Sequence, residues 1–280
     1  MKMKSEENSM RTTEPEKIDF KQKFNLEGKI IVIIGACGLI GRAFVEACVQ
    51  FGASVVIADI EEAKPIEYAN RLEGRFKRKF LGIDVDISNR KDVERLLKSI
   101  LNVFEKFDGL VNCHQYKPSK FFKRFEEYLD TDWDDVIEIN LKGTFLSCQL
   151  IGGWMAEHGG GCIVNMPSLY SVVAPNQNLY KGTTMGCPAV YSASKGGVQA
   201  LSSYLATYWA SKGVRVNMIT PHGVWNHHEE QFEKNFSQFL PLGRMSYSHE
   251  VASALVYLLS DASSFVTGHN LIVDGGWTTW

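Results

Sequence analysis

The stretch Ile31–Phe44, IVIIGACGLIGRAF, decides the fold. A β-branched apolar run stops at Gly35, and the residues after Gly41 have apolar groups at helical spacing. Gly35, Gly38 and Gly41 lie three apart across the junction. Glycines at a strand-to-helix turn let backbone N–H groups approach a pyrophosphate, which the helix N-terminus attracts. Eighteen residues after Gly41, Asp59 closes a second apolar run, SVVIAD. A carboxylate there would bind the ribose hydroxyls of an adenosine and repel a 2′-phosphate. The pair of signals predicts NAD(H) in preference to NADP(H).

The same alternation continues down the chain. KRKFLGIDV, GLVNCH, CIVNM, VRVNMIT and NLIVDGG read as further strands, with helical segments such as RKDVERLLKSILNVFEKF between them. Short apolar strands alternating with helices imply an α/β, doubly wound parallel sheet with helices on both faces, a single-domain Rossmann fold. Residues 1–24 are charged and without apolar periodicity, and are expected to form a flexible N-terminal extension to a 25–280 catalytic domain. The 280 residues are 45% apolar and 22% charged with a formal net charge of −2. No basic stripe marks a nucleic-acid partner, and no apolar run approaches the ~20 residues of a membrane span. Six cysteines without a C-x-x-C pair suit a reducing compartment and no metal site. A cytoplasmic protein without nucleic-acid or membrane partners is expected.

AVYSASKGG, residues 189–197, sets Tyr191 one helical turn before Lys195 with small residues between. A phenol with a pKa of about 10 is a poor base at neutral pH. A neighbouring cation favours the phenolate, so Lys195 together with a cationic nicotinamide is expected to lower the Tyr191 pKa and let it exchange a proton with a substrate oxygen.

Tyr191-x-x-x-Lys195, the glycine turn, NLKGTF, VRVNMITPHG and SSFVTGHNLIVDGGW occur in an order that resembles the short-chain dehydrogenase/reductase family, in its compact single-domain branch, from about Phe24 to Trp280. The resemblance implies an oxidoreductase of secondary alcohols or ketones. It makes Tyr191 the general acid/base, Lys195 its partner and ribose ligand, Ser168 the donor to the substrate oxygen, and Asn140 the holder of a relay water. It assigns Asp84 and Asn112 to the cofactor site, with Pro221 and Gly223 near the carboxamide. Leu39, Ile40, Ile60, Val85 and Val224 complete that set. Thr267, Gly268 and Asp274–Gly276 match a subunit-contact region, so a homo-oligomer, tetramer or dimer, is implied.

The sequence departs from the family in places. Ile34 stands for a threonine, the glycine spacing is that of longer sugar-nucleotide epimerases and dehydratases, N-N-A-G is NCHQ, P-G-G is PHG, and Asn226 replaces a threonine. Ser168 and Tyr191 are 23 positions apart, more than the branch usually has. The added stretch, residues 171–189, carries Asn176, Gln177, Asn178, Lys181, Thr183 and Thr184. Such a loop between two catalytic candidates borders the substrate, and its polar groups predict a polar, carbohydrate-like small molecule. GLIG, VVAPN, YKGT and VDGGWT also resemble bacterial oxidoreductases of surface-sugar and flagellin-glycan biosynthesis. Two rivals stay open: an epimerase or dehydratase with resident NAD, and a non-catalytic nucleotide-binding member. His227 and His228 are expected in the substrate lid, without metal.

Overall fold

The computed structural model describes residues 18–119 and 121–280. Most of the expected extension, residues 1–17, lies outside the described residues. Gln22–Phe24 forms a 3-10 turn, and the Phe24 ring lies 6.3 Å from that of Tyr257.

Seven parallel strands form one sheet: β1 (Ile30–Ile34), β2 (Ser54–Asp59), β3 (Phe80–Asp84), β4 (Gly109–Asn112), β5 (Gly161–Asn165), β6 (Val214–Pro221) and β7 (Asn270–Val273). Their order is β3-β2-β1-β4-β5-β6-β7. The direction of winding reverses between β1 and β4, and ligands of such sheets bind beyond the carboxyl ends of the strands at that point.

All five residues of β1 are buried, because helices cover both faces. Ile31 and Ile33 point into one core, with Phe44 and Val45 of α1 (Leu39–Gln50), Tyr68 and Leu72 of α2 (Pro65–Phe76), and residues of the last long helix. Ile30, Val32 and Ile34 point into the other. There they meet Leu96 and Ile100 of α3 (Arg90–Phe104) and, from later helices, Leu146, Ile151 and Leu205. The alternation follows from the two-residue period of a strand.

The chain is continuously helical from Asp130 to Glu157 but not uniform. Three α-helical pieces, α4 (Asp130–Ile137), α5 (Gly143–Ser147) and α6 (Gly153–Glu157), are joined by π turns at Glu138–Lys142 and Cys148–Gly152. Then follow α7 (Ala189–Tyr208), which carries the Tyr–Lys pair, α8 (Glu230–Gln238) and α9 (Ser248–Leu259). All six cysteines are free, and five are buried as small apolar side chains. Among the described residues, no helix is long and apolar enough to cross a membrane.

Candidate active site

A cleft of about 600 Å³ opens over the carboxyl ends of the strands. At one end is the glycine turn. Gly35 has φ +84, and a Cβ there would lie 2.6 Å from the His114 backbone nitrogen. A Cβ on Gly41 would meet the Gly35 carbonyl oxygen at 2.0 Å, so β1 and α1 can pack only through glycine. Gly38 differs: its nearest neighbour would be 3.5 Å away, and it faces the cleft as the N-cap of α1. That helix start has no side-chain cap and no acid in its first turn. Its free N–H groups open on the cleft and fit a diphosphate.

Asp59 is pinned at the end of β2. Its carboxylate accepts from the N–H of Cys37 at 2.7 Å and of Ile60 at 2.9 Å, and it lines the cleft. The nearest guanidinium on α1, Arg42, is engaged elsewhere: it donates to the Cys37 carbonyl at 2.7 Å and lies over the Tyr68 ring. Leu39, Ile40, Ile60 and Val85 lie along the same wall, and Pro221, Gly223 and Val224 face them from the end of β6.

At the other end α7 brings Tyr191 and Lys195 to the cleft together with Ser168, which follows β5. Lys195 is buried, and its Nζ donates to the Met166 carbonyl at 2.9 Å. Burial lowers its pKa to about 8. Tyr191 stands edge-on to Phe121 and Tyr170, with ring centroids 6.0 and 6.4 Å apart. Burial pushes the Tyr191 phenol up to about 12, and a hydrogen bond with Ser168 works against that. The Lys195 ammonium, one turn along α7, is directed at the Met166 carbonyl.

Three expected site residues stand outside the cleft wall. Asn112 is a buried strut of the sheet: it donates to Asn165 at 2.8 Å and accepts from Ser147 at 2.8 Å. Asp84 turns away from the cleft toward Arg95, and Val85, Asp86 and Ile87 line the cleft beside it. Asn140 lies in the first π turn, where its Oδ1 accepts from the Tyr116 N–H at 2.8 Å and its Nδ2 donates to Ser194. It therefore fixes the loop after β4, whose Tyr116 does reach the cleft.

His114 and Gln115 of NCHQ both face the cleft without closing it. His114 lies against Gly35 and near Thr144, and burial lowers its pKa to about 3. Asn226 and His228 line the cleft, and the His227 ring packs at a tilt against Trp225, with centroids 4.3 Å apart.

The insertion borders the cleft, but its polar side chains do not. Asn176 caps its own 3-10 turn, Thr184 bonds Glu229, and Asn235 donates to the Leu179 and Lys181 carbonyls. These contacts pin the loop to α8. What it presents inward is Tyr180, Met185, Gly186, Cys187 and Pro188. The insertion therefore gives the cleft an aromatic and sulfur-bearing wall in place of the polar side chains expected to meet a carbohydrate-like substrate.

Tyr170, Tyr180, Cys187 and His222 were not singled out from the sequence as site residues. Tyr170 follows Ser168 by two positions, and its hydroxyl lies 2.7 Å from that of Tyr180. His222 stood in view as the middle of PHG, where the family has glycine.

Residues 35–278 match the protein family described as enoyl-(acyl carrier protein) reductase. An NAD-dependent glycerol dehydrogenase of Listeria innocua is 34% identical, the match covering 92% of this chain and 97% of the relative. A D-threitol dehydrogenase of Mycolicibacterium smegmatis is 33% identical, over 95% and 99%. A post-translational flagellin modification protein A of Campylobacter coli is 30% identical, over 90% and 99%. A short chain dehydrogenase from Leptospira borgpetersenii with bound NAD+ superposes with a TM-score of 0.80 at 33% identity, covering 90% of this chain and 93% of that one. A Burkholderia cenocepacia gluconate 5-dehydrogenase in complex with NADP and tartrate gives 0.82 at 26%, over 92% and 98%.

Proposed function

The chain belongs to the short-chain dehydrogenase/reductase family and is an oxidoreductase of CH–OH groups that uses a nicotinamide cofactor; on that premise we propose that it interconverts a secondary alcohol and a ketone in a small polyol or sugar-like substrate, with NAD(H) preferred over NADP(H). The observation that carries this reading is the convergence of Tyr191, Ser168 and Lys195 at one end of a cleft whose other end is an uncapped, glycine-lined helix start.

The cofactor, when bound, supplies or takes the hydride. The protein's own groups manage the proton and the oxygen. Ser168 steadies the substrate oxygen by a hydrogen bond, and Tyr191 gives it a proton on reduction or takes one on oxidation. In the free protein Tyr191 is a phenol at neutral pH, ready to donate. It becomes an acceptor when positive charge gathers beside it. Lys195, held by the Met166 carbonyl, positions the ribose side of the cofactor.

Asp59 supports the cofactor preference, because its carboxylate is fixed at the end of β2 on the cleft wall, and a carboxylate there binds ribose hydroxyls and repels a 2′-phosphate. The two solved relatives hold different cofactors, NAD+ in one and NADP in the other, so the preference is argued from this residue.

The test is titration of NADH and NADPH against the purified protein and Asp59→Ala, followed by turnover of glycerol and D-threitol with each oxidised cofactor. Tight NADH binding, weak NADPH binding and relaxation of that difference in Asp59→Ala are expected, with net cofactor reduction by a polyol. Binding without net turnover would instead favour the epimerase or dehydratase reading, in which the cofactor is regenerated. Absence of binding would sink the oxidoreductase assignment of the site.

A further inference from the structure

Beyond the proton-transfer end, the cleft holds a polar group that the chemistry above does not use. His222 is 6% exposed, and its Nε2 has no hydrogen-bond partner among the described residues. An unpartnered buried nitrogen is costly, and such atoms are usually satisfied by something that binds. The ring cannot swing out to find water. It is packed against Phe236 at 4.4 Å and Trp277 at 4.6 Å, with Tyr170 at 6.0 Å. Its backbone is fixed too: its N–H donates to the Val273 carbonyl and its carbonyl accepts from Ser246. The next residue, Gly223, has φ +46, and a Cβ there would lie 2.1 Å from the Phe236 ring. The aromatic ring that holds His222 in place thus depends on that glycine.

The position of His222 relative to the reacting centre follows from the rings between them. Tyr170 stands edge-on to both Tyr191 and His222, at 6.4 and 6.0 Å. The Tyr170 hydroxyl is already paired with that of Tyr180. A substrate whose reacting carbon sits at Tyr191 and Ser168 would extend past the Tyr170 face toward the imidazole. Both His222 and Tyr191 line the same cleft.

The chemistry of the group selects the ligand. Burial lowers the imidazole pKa to about 3, with Asp274 opposing, so the ring is neutral near pH 7. The Asp274 carboxylate is occupied by Gly276 and Thr278. A neutral ring nitrogen in an aromatic box suits a hydroxyl, which can either donate or accept, better than it suits a carboxylate or phosphate.

Resting on the polyol reading, we propose that His222 is a specificity-determining residue of the cleft: its Nε2 hydrogen-bonds a substrate hydroxyl on a carbon remote from the one oxidised. A site built to bond a hydroxyl discriminates strongly against the analogue lacking it, because the buried nitrogen is then left unpaired.

The experiment compares kcat/KM for D-threitol with that for butane-2,3-diol, which lacks the terminal hydroxyls, at saturating NAD+. Wild type is expected to prefer D-threitol. His222→Phe keeps the ring and removes the nitrogen. It should lower kcat/KM for D-threitol roughly 10- to 100-fold and leave butane-2,3-diol within about twofold. His222→Gln, which restores a hydrogen-bonding group, should recover part of the preference. NADH affinity, read by calorimetry, should be unchanged in both variants. If His222→Phe loses NADH affinity, the comparison is decided on His222→Gln, which should keep part of the wild-type preference for D-threitol; an equal loss on both substrates with NADH affinity intact overturns the proposal. A wild-type preference that survives His222→Phe overturns it as well, and so does an equal loss on both substrates. A wild type that turns over both compounds without preference overturns the proposal and leaves the polyol reading standing, whereas no turnover of D-threitol, glycerol or butane-2,3-diol would sink the polyol reading and the proposal with it.

Discussion

Tyr191 is where the proposed chemistry is most exposed to test. Tyr191→Phe removes one oxygen from a ring held edge-on by Phe121 and Tyr170, and the packing survives. Turnover should fall roughly 100- to 10,000-fold, the usual worth of a positioned acid or base, while NADH affinity stays within error. Retained turnover would remove Tyr191 from the mechanism. The histidines carry a second prediction. His114 and His222 are each lowered from 6.5 to about 3 by burial. Between those values the unfolded chain binds protons that the folded protein refuses. Stability is therefore full above pH 6.5 and falls as the pH drops toward 3. In urea melts from pH 7 to pH 4, His222→Phe should lose less stability than wild type. An identical slope would mean that the imidazole is not held neutral by burial. At this scale the sequence displayed Tyr191, Lys195, Ser168 and Asp59, because motif spacing places them locally. Asn112 and Asp84, read as cofactor residues, turn their side chains toward Asn165 and Arg95. Those partners lie far along the chain or across a helix, and no local pattern names them.

The glycine turn is a property of two elements meeting, and its three glycines do different work. Gly41→Ala would force a Cβ against the Gly35 carbonyl, and should cost about 1–3 kcal/mol of stability as strand and helix part. Gly38→Ala has room for its methyl within the protein, but that methyl projects at the cleft from an open helix start. It should melt like wild type and bind NADH weakly. Calorimetric unfolding and NADH titration on both variants check the contrast, and equal behaviour in both assays would refute it. The strands were legible because β-branched runs bounded by turns have few other solutions. The π turns in the Asp130–Glu157 helix were not, because a one-residue widening leaves the apolar pattern nearly unchanged. One of them carries Asn140 and aims its amide at Tyr116 and Ser194.

Among the described residues, apolar surface stands exposed. Tyr204 and Tyr208 on α7 stack on each other at 5.5 Å yet are 60% and 58% exposed, and Phe265 is fully exposed. We propose that these aromatics meet a second copy of the chain. A homodimer or homotetramer of the 31.5 kDa chain is expected by light scattering. Tyr208→Glu should shift it toward smaller species, and a monomeric wild type would contradict the reading. The sheet order places the glycine turn, Asp59, the loop after β4, Ser168 and Pro221 around one cleft, because parallel strands all end on the same side.

By itself the sequence determined the seven-stranded doubly wound sheet, the cofactor turn and the Tyr–Lys pair. Each rests on a period or spacing within a few tens of residues, where covalent geometry restricts the choices. Only the tertiary structure decided which way those side chains face. It turned the Lys195 ammonium onto the Met166 carbonyl, and the polar groups of the insertion onto Glu229 and α8. It left Tyr180 and His222 to the cleft wall, the latter with its Nε2 buried and unpaired. A side chain's direction is set by which partners burial leaves available to it, and those partners come from distant parts of the chain that only folding brings together.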